Sequence, residues 1–230
     1  GYRQEGFGVF DMNTENGERN STAKAYLDPA RRRQNLTVMT DKQVQKIFFN
    51  GNEATGISYK TVNGDIIKVD ALKEVILSAG AVGSPQLLML SGVGPASHLK
   101  DHGITIVADM PGVGQNLNDH PDFVLKYKCL KPVSIWPQTR LVRRTFAGIR
   151  WLLRRDGICA SNQFEAVACV RSAAGVEYPD IQLTISPAAV DDQTWEPLPE
   201  HAFQIHVGLM RGFSRGNITL RNSDPASPPR

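Results

Sequence analysis

Between residues 36 and 78, short apolar runs alternate with polar positions and are separated by turn residues. This pattern predicts strands at 36–40, 44–49, 54–61, 66–69 and 74–78, arranged as a meander. Asn50-Gly51 and Asn63-Gly64 mark the hairpins most clearly, because both dipeptides accept the positive φ angles of tight turns. The pattern then changes period. Ser84 suits a helix N-cap, Pro85 the first helical position and Gly92 the C-terminal stop. The apolar Val75-Ile76-Leu77 ends at Ser78-Ala79-Gly80, so a buried strand is expected to deliver its end to small residues that let a backbone or ligand approach. A helix N-terminus facing that point would offer free N–H groups to an anionic ligand such as a pyrophosphate. A second short helix is predicted at 95–102, stopping at Gly103, then a strand at 104–107 and a loop rich in Gly, Pro, Asn and Asp over 110–121.

Beyond residue 126 the character changes. Arg140, Arg143, Arg144, Arg150, Arg154 and Arg155 interleave with Leu141, Val142, Phe146, Ile149, Trp151, Leu152 and Leu153, the signature of an amphipathic helix. The expected arrangement is a solvated basic face over an apolar core face. Contact with an anionic membrane surface, a peripheral membrane partner, is the alternative. Strands follow at 163–171, 180–186, 202–210 and 217–221, suggesting an antiparallel sheet, with a long connection at 187–200. The fold class is therefore α+β: a mixed sheet with helices over residues 1–125, and part of an antiparallel-sheet domain over 126–230.

The length of 230 residues allows one large domain or two small ones. The 26 basic and 23 acidic residues leave a net charge of +3, too even a balance to imply nucleic acid. No apolar run reaches the roughly 20 residues needed to span a bilayer. Residues 1–5 show no signal-peptide pattern, so the expected location is cytoplasmic or peripheral to a membrane. Cys129, Cys159 and Cys169 are widely spaced, with no C-x-x-C pair, and point to neither a disulfide framework nor a metal site.

The run 79–94, Ala-Gly-Ala-Val-Gly-Ser-Pro-Gln-Leu-Leu-Met-Leu-Ser-Gly-Val-Gly, resembles the second signature of the glucose-methanol-choline (GMC) oxidoreductases. The similarity extends in order on both sides. Upstream, Ser21-Thr22-Ala23-Lys24-Ala25-Tyr26-Leu27-Asp28-Pro29-Ala30 and Asn35-Leu36-Thr37-Val38 resemble the family's segment leading to the adenine side of FAD. Downstream, Gly92-Val93-Gly94-Pro95, His98-Leu99, Pro111-Gly112-Val113-Gly114-Gln115-Asn116-Leu117 and Asp119-His120-Pro121 continue the match. The resemblance implies FAD as cofactor and an alcohol as substrate, with hydride transfer to the flavin. It implies FAD contacts at Val44, Ala79, Gly80, Asn116, Asp119 and His120.

The family also uses a G-x-G-x-x-G turn and a C-terminal catalytic His region. No G-x-G-x-x-G run occurs here, and none of the five His matches the catalytic one, so no catalytic residue is assigned. The chain is expected to stop inside the family's fold and, alone, to be inactive. Glu165, within Asn162-Gln163-Phe164-Glu165-Ala166-Val167-Ala168, resembles the Glu that meets the trimethylammonium group in choline dehydrogenases, and by strand alternation it could equally face solvent. The stretch from Gln204 to Arg211 also resembles that branch, which points to choline as substrate. Ala166-Val167-Ala168-Cys169 departs from the small glycines usual there, and Val167 would narrow the cavity. A neutral aliphatic alcohol is the alternative substrate, and a non-enzymatic interaction module built on the basic helix is the alternative of another class. The electron acceptor is not encoded in these residues.

Overall fold

A computed structural model describes residues 4–230; the first three residues, where a leader pattern was sought, lie outside the described residues. In chain order the main strands are β1 (Gly6–Val9), β2 (Gln43–Asn50), β3 (Glu53–Lys60) and β4 (Ile66–Asp70), then β5 (Asp122–Lys128), β6 (Ala166–Val170), β7 (Ile181–Ser186) and β8 (Ala202–Leu209). The main helices are α1 (Gly80–Leu90), α2 (Ala96–Asp101) and α3 (Leu141–Arg154). The α+β expectation holds.

The chain forms two compact units, each discontinuous in sequence. One combines the segment ending at Leu36 with His120–Gly212; the other combines Thr37–Asp119 with Phe213–Arg230. A single cut at 125/126 does not describe this division. It would sever β5, which pairs along its whole length with β8, and it would separate β1 from its partner β6.

The first unit is built on a five-stranded antiparallel sheet in the order β1-β6-β7-β8-β5. Paired residues share a face, so the register sorts the side chains. Phe7, Ala168, Leu183, Val207 and Phe123 lie in one row, and the neighbouring rows on that face are equally apolar. The opposite face carries Gln182, Thr184, His206 and Asp122. Before the sheet, Thr14–Glu15 and Glu18–Arg19 form a small hairpin turning at Gly17.

The second unit joins the meander β2-β3-β4 to a core around α1 and α2. Met89 and Leu99 are 1% and 0% exposed and pack with Leu90, Ile218 and Leu220. Ser91 ties this core to the sheet. Its hydroxyl donates to the Leu87 carbonyl at 2.6 Å and accepts the Ile47 N–H of edge strand β2 at 2.9 Å.

Several predicted elements are corrected. Residues 36–40, 74–78 and 104–107 form no strands, and Ile76 is 78% exposed rather than buried; the last of the three gives way to a two-residue parallel pairing of Ala108–Asp109 with Val93–Gly94, preceded by the Val107 N–H donating to the Gly92 carbonyl at 2.8 Å. The 217–221 strand shrinks to Gly216–Asn217, paired with Gln115–Leu117. Conversely, β1 was not foreseen, since two of its four residues are glycine. Helix α1 begins at Gly80, a turn before Ser84, and Pro85 lies inside it. The small residues 80–83 form that extra turn, and the proline withholds the N–H that would close onto the Ala81 carbonyl.

Helix α3 forms as predicted, but the burial of its apolar face does not. Leu141, Val142, Phe146, Ile149, Leu152 and Leu153 are all exposed, from 46% to 80%. The contacts that hold it come from its polar side: Trp151 Nε1 donates to the Gly17 carbonyl at 2.6 Å, and Arg155 pairs with Glu18 at 2.9 Å.

Candidate functional site

In the second unit, Ala81, Ser84, Pro85 and Leu88 recur at helical spacing and form one stripe along α1. Opposite the stripe runs the turn from Val113 to Asn118, with Ile218 at the base, and together they enclose a groove of about 440 Å³. The turn has a fixed shape. Gly114 has φ +79°, and a Cβ there would lie 2.2 Å from the Ile218 carbonyl oxygen, so only glycine fits. The Ile218 N–H in turn donates to the Gly114 carbonyl at 2.6 Å. Asn116 follows at φ +61°, a left-handed conformation that Asn tolerates better than most residues.

The groove brings together the α1 run and the 110–121 loop, both singled out in the sequence, and Asn116 is the expected cofactor contact on its wall. Ala79 and Gly80 are exposed at the start of α1, just outside the groove lining, and Ala79 makes no side-chain cap to the helix. Val44 sits half-buried in β2 opposite Tyr59, at a bulge, away from the groove lining. Asp119 is exposed within the loop and ends the first segment of its unit; His120 begins the second segment of the other.

In the first unit a second cavity, of about 530 Å³, opens on the polar face of the five-stranded sheet. Phe10, Phe164, His120, Asp122, Thr184 and His206 are among its lining residues. His206 is held at both ring nitrogens. The buried Gln204 accepts the Val190 N–H at 3.0 Å through Oε1, which turns its amide NH₂ to His206 Nε2 at 2.8 Å. Nε2 is therefore the acceptor, and Nδ1–H donates to Asp122 at 2.7 Å, a tautomer assigned from the network. Phe164 packs edge-on against the His206 ring at 5.7 Å. Both ring nitrogens are thus engaged by neighbouring side chains, and Asp122 and His206 line the same cavity.

His120 Nδ1 lies 2.8 Å from the Leu209 carbonyl, in the same cavity wall. Glu165 is exposed immediately before β6, its carboxylate 3.3 Å from the Ser161 hydroxyl. Its neighbour Phe164, rather than Glu165, lines the cavity. Val167 shares the cavity face, opposite Thr184. The Asp122–His206–Gln204 network went unrecognised in the sequence, because strands some 80 residues apart meet only through register. Its one visible signal was a His alternating with Ile205 and Val207 in a strand.

The remaining histidines have structural partners. His98 Nε2 accepts the Leu220 N–H at 3.0 Å, with the His102 ring edge-on at 4.6 Å. Partial burial, followed by the neighbouring His102 charge, holds His98 below the ordinary imidazole range. His201 pairs with the Ser134 hydroxyl at 3.0 Å. Among the described residues no cluster of His, Cys, Asp and Glu could hold a metal ion.

Comparison with known proteins bears on the family. A family model described as GMC oxidoreductase matches residues 1–122. The chain is 46% identical to the oxygen-dependent choline dehydrogenase of Ectopseudomonas mendocina and 45% identical to that of Pseudomonas aeruginosa. Each alignment covers 100% of this chain and 41% of the relative, so the chain spans about two fifths of their length. Among solved structures, a formate oxidase from Aspergillus oryzae RIB40 superposes with a TM-score of 0.84 at 22% identity, over 98% of this chain and 44% of that one. Pyridoxine 4-oxidase from Mesorbium loti gives 0.75 at 26% identity, over 98% and 40%. With more than half its residues carried by the family model, in the order its signature blocks follow, the chain belongs to the GMC oxidoreductase family.

Proposed function

We propose that this chain is part of an FAD-dependent alcohol oxidoreductase acting on choline, and that alone it does not turn over. The unit containing α1 serves the flavin side, and the unit containing the five-stranded sheet serves the substrate side. The observation that carries this reading is the groove in which the small-residue stripe of α1 meets the Gly114–Asn118 turn. Its fit to FAD rests on shape and donor set: Gly114 leaves room for no Cβ, Ala81 keeps the wall low, and Ser84, Gln115, Asn116 and Asn118 supply polar groups beside apolar Leu88 and Ile218. Bound flavin would supply the hydride acceptor. The chain's own residues would shape one wall, with Asn116 on it, and exclude water there. Val44, Ala79, Gly80, Asp119 and His120 complete the proposed cofactor contacts.

For the substrate side, the paired aromatic rings Phe10 and Phe164, 6.4 Å apart, with the Asp122 carboxylate at the rim, suit an organic cation. Glu165 is the proposed partner of the trimethylammonium group. One observation favours a neutral alcohol instead: Glu165 points to no cavity wall and contacts Ser161.

The test is made in the whole protein. Ser84→Leu, which fills the groove, should lower flavin content per polypeptide without loss of helix content. Unchanged flavin content would remove the groove from the cofactor site. Glu165→Gln should reduce kcat/KM for choline at least about tenfold, a loss of roughly 1.4 kcal/mol, while sparing choline's neutral carbon isostere. Equal losses for both would favour the neutral-alcohol reading.

A further inference from the structure

The base of the groove is held from behind by a histidine. Ile218 lines the groove, and its N–H donates to the Gly114 carbonyl at 2.6 Å. Two residues on, Leu220 donates its N–H at 3.0 Å to Nε2 of His98, in the middle of α2. Between them, Thr219 exchanges both backbone hydrogen bonds with Arg230, at 3.0 and 2.9 Å. Ile218 and Leu220 are both buried in the α1 core, so the loss of either bond leaves a donor in apolar surroundings.

The Leu220 bond exists only while His98 is neutral. A neutral imidazole accepts through one nitrogen; with a second proton both nitrogens are donors, and Nε2–H would be aimed at the Leu220 N–H. The charged and titratable groups acting on His98 are His102, its ring edge-on at 4.6 Å, and Asp101 at the end of the same helix. The facing segment is uncharged from Ile218 to Leu220, while Arg221 and Arg230, which border it, are exposed. The core that Leu220 joins is apolar, made of Met89, Leu90, Leu99 and Ile218. Partial burial, followed by the His102 charge, outweighs Asp101 and keeps the ring neutral to below the ordinary value near 6.5.

We infer that His98 is a positioning residue for the groove, a clasp that is closed while its imidazole is neutral and that lets the 218–220 segment go when the ring takes up a proton. The route to the groove is short. Ile218 is the base, and its N–H bond fixes the Gly114 turn, whose next residues Gln115 and Asn116 line the opposite wall. This rests on the reading of the groove as one wall of the cofactor site, and adds to it a dependence of cofactor retention on pH.

The experiment has two arms. In the 230-residue chain, amide exchange is followed from pH 7.5 to 5 and corrected for the intrinsic rate. Protection at Leu220 and Ile218 should fall about fivefold or more, the equivalent of one net hydrogen bond, while the amides of β2, β3 and β4 keep theirs. In the whole protein, flavin release into buffer should speed up by a similar factor over the same range. His98→Gln, which accepts through Oε1 without titrating, should keep both quantities flat. His102→Gln, which takes away the neighbouring charge, should keep the response and move its midpoint to higher pH. An equal fall in protection across β2, β3 and β4 would overturn the proposal, since acid would then loosen the unit as a whole. So would a His98→Gln variant that responds to pH as the parent chain does. Local loosening at Leu220 with flavin retention unchanged would uphold the clasp and count instead against the groove as the cofactor wall.

Discussion

Helices α1 and α3 invert one another. Helix α1 has no sharp division into apolar and polar sides and has glycines in its first turn and a proline inside it, yet its C-terminal end is among the best-buried parts of the molecule. Helix α3 has a sharply divided sequence and the better helix pattern, yet its apolar arc is in water. The difference shows that periodicity tells how side chains sort around a helix, and not which sorted side finds a core. For α1 the core is decided by neighbours: Leu99, Ile218 and Leu220 close over Met89, and Ser91 bonds to β2. For α3 the deciding contacts are two polar ones at its last turn.

The contrast can be broken most strongly at Met89. Met89→Ala should cost about 2–5 kcal/mol in chemical denaturation, as buried large-to-small changes do. A loss below 1 kcal/mol would mean the α1 core is loosely packed. Next, Gly114→Ala forces a Cβ against the Ile218 carbonyl at a positive φ; strain of about 1–3 kcal/mol is expected, visible as a lower thermal midpoint and weaker amide protection at Ile218. Ser91→Ala leaves the Ile47 N–H without its acceptor and should cost about 1–3 kcal/mol. Trp151→Phe removes the donor to Gly17 together with part of the ring on which Arg155 stacks, so about 1 kcal/mol or more should be lost. At the weak end, Leu153→Ser on the exposed arc should stay within about 0.5 kcal/mol; a large loss would show that the arc is covered after all.

The α1 core should also respond to pH while α3, held by arginines, does not. His98 must be neutral to accept the Leu220 N–H, and its folded pKa is lowered by burial and by His102, with Asp101 opposing. The unfolded chain therefore takes up this proton first as pH falls. The stabilisation is complete above the ordinary value near 6.5 and is lost as pH drops through the lower folded value. Stability measured from pH 7.5 to 5 should decline more in the parent chain than in His98→Gln, which keeps an acceptor that does not titrate. Identical declines would remove His98 from the account.

What was legible in the sequence follows the same physics. The hairpins at Gly51 and Gly64, the strands β7 and β8 and helix α2 were foretold because turn residues and local alternation specify them. The groove was half legible: the α1 run and the Asn116 loop stood out, but their facing one another depends on Ile218, a hundred residues further on. The cavity residues Phe10, Asp122 and His206 were not legible, because only the β5–β8 register and the closing of β1 onto β6 bring them together. Ser84 was misread as a cap because a proline one residue later normally marks a helix start, and here four small residues allowed an earlier one.

The pairing of β1 with β6 has a consequence for biosynthesis. Gly6 lies opposite Cys169, so β1 must wait for a partner translated roughly 160 residues later, about 10–30 s at ordinary elongation rates. Neither compact unit can close early, since one needs the chain through Gly212 and the other needs residues after it. During that interval the backbone groups of β1 that pair with Ala166–Cys169 in the fold have no strand partner, an open edge that a chaperone would cover.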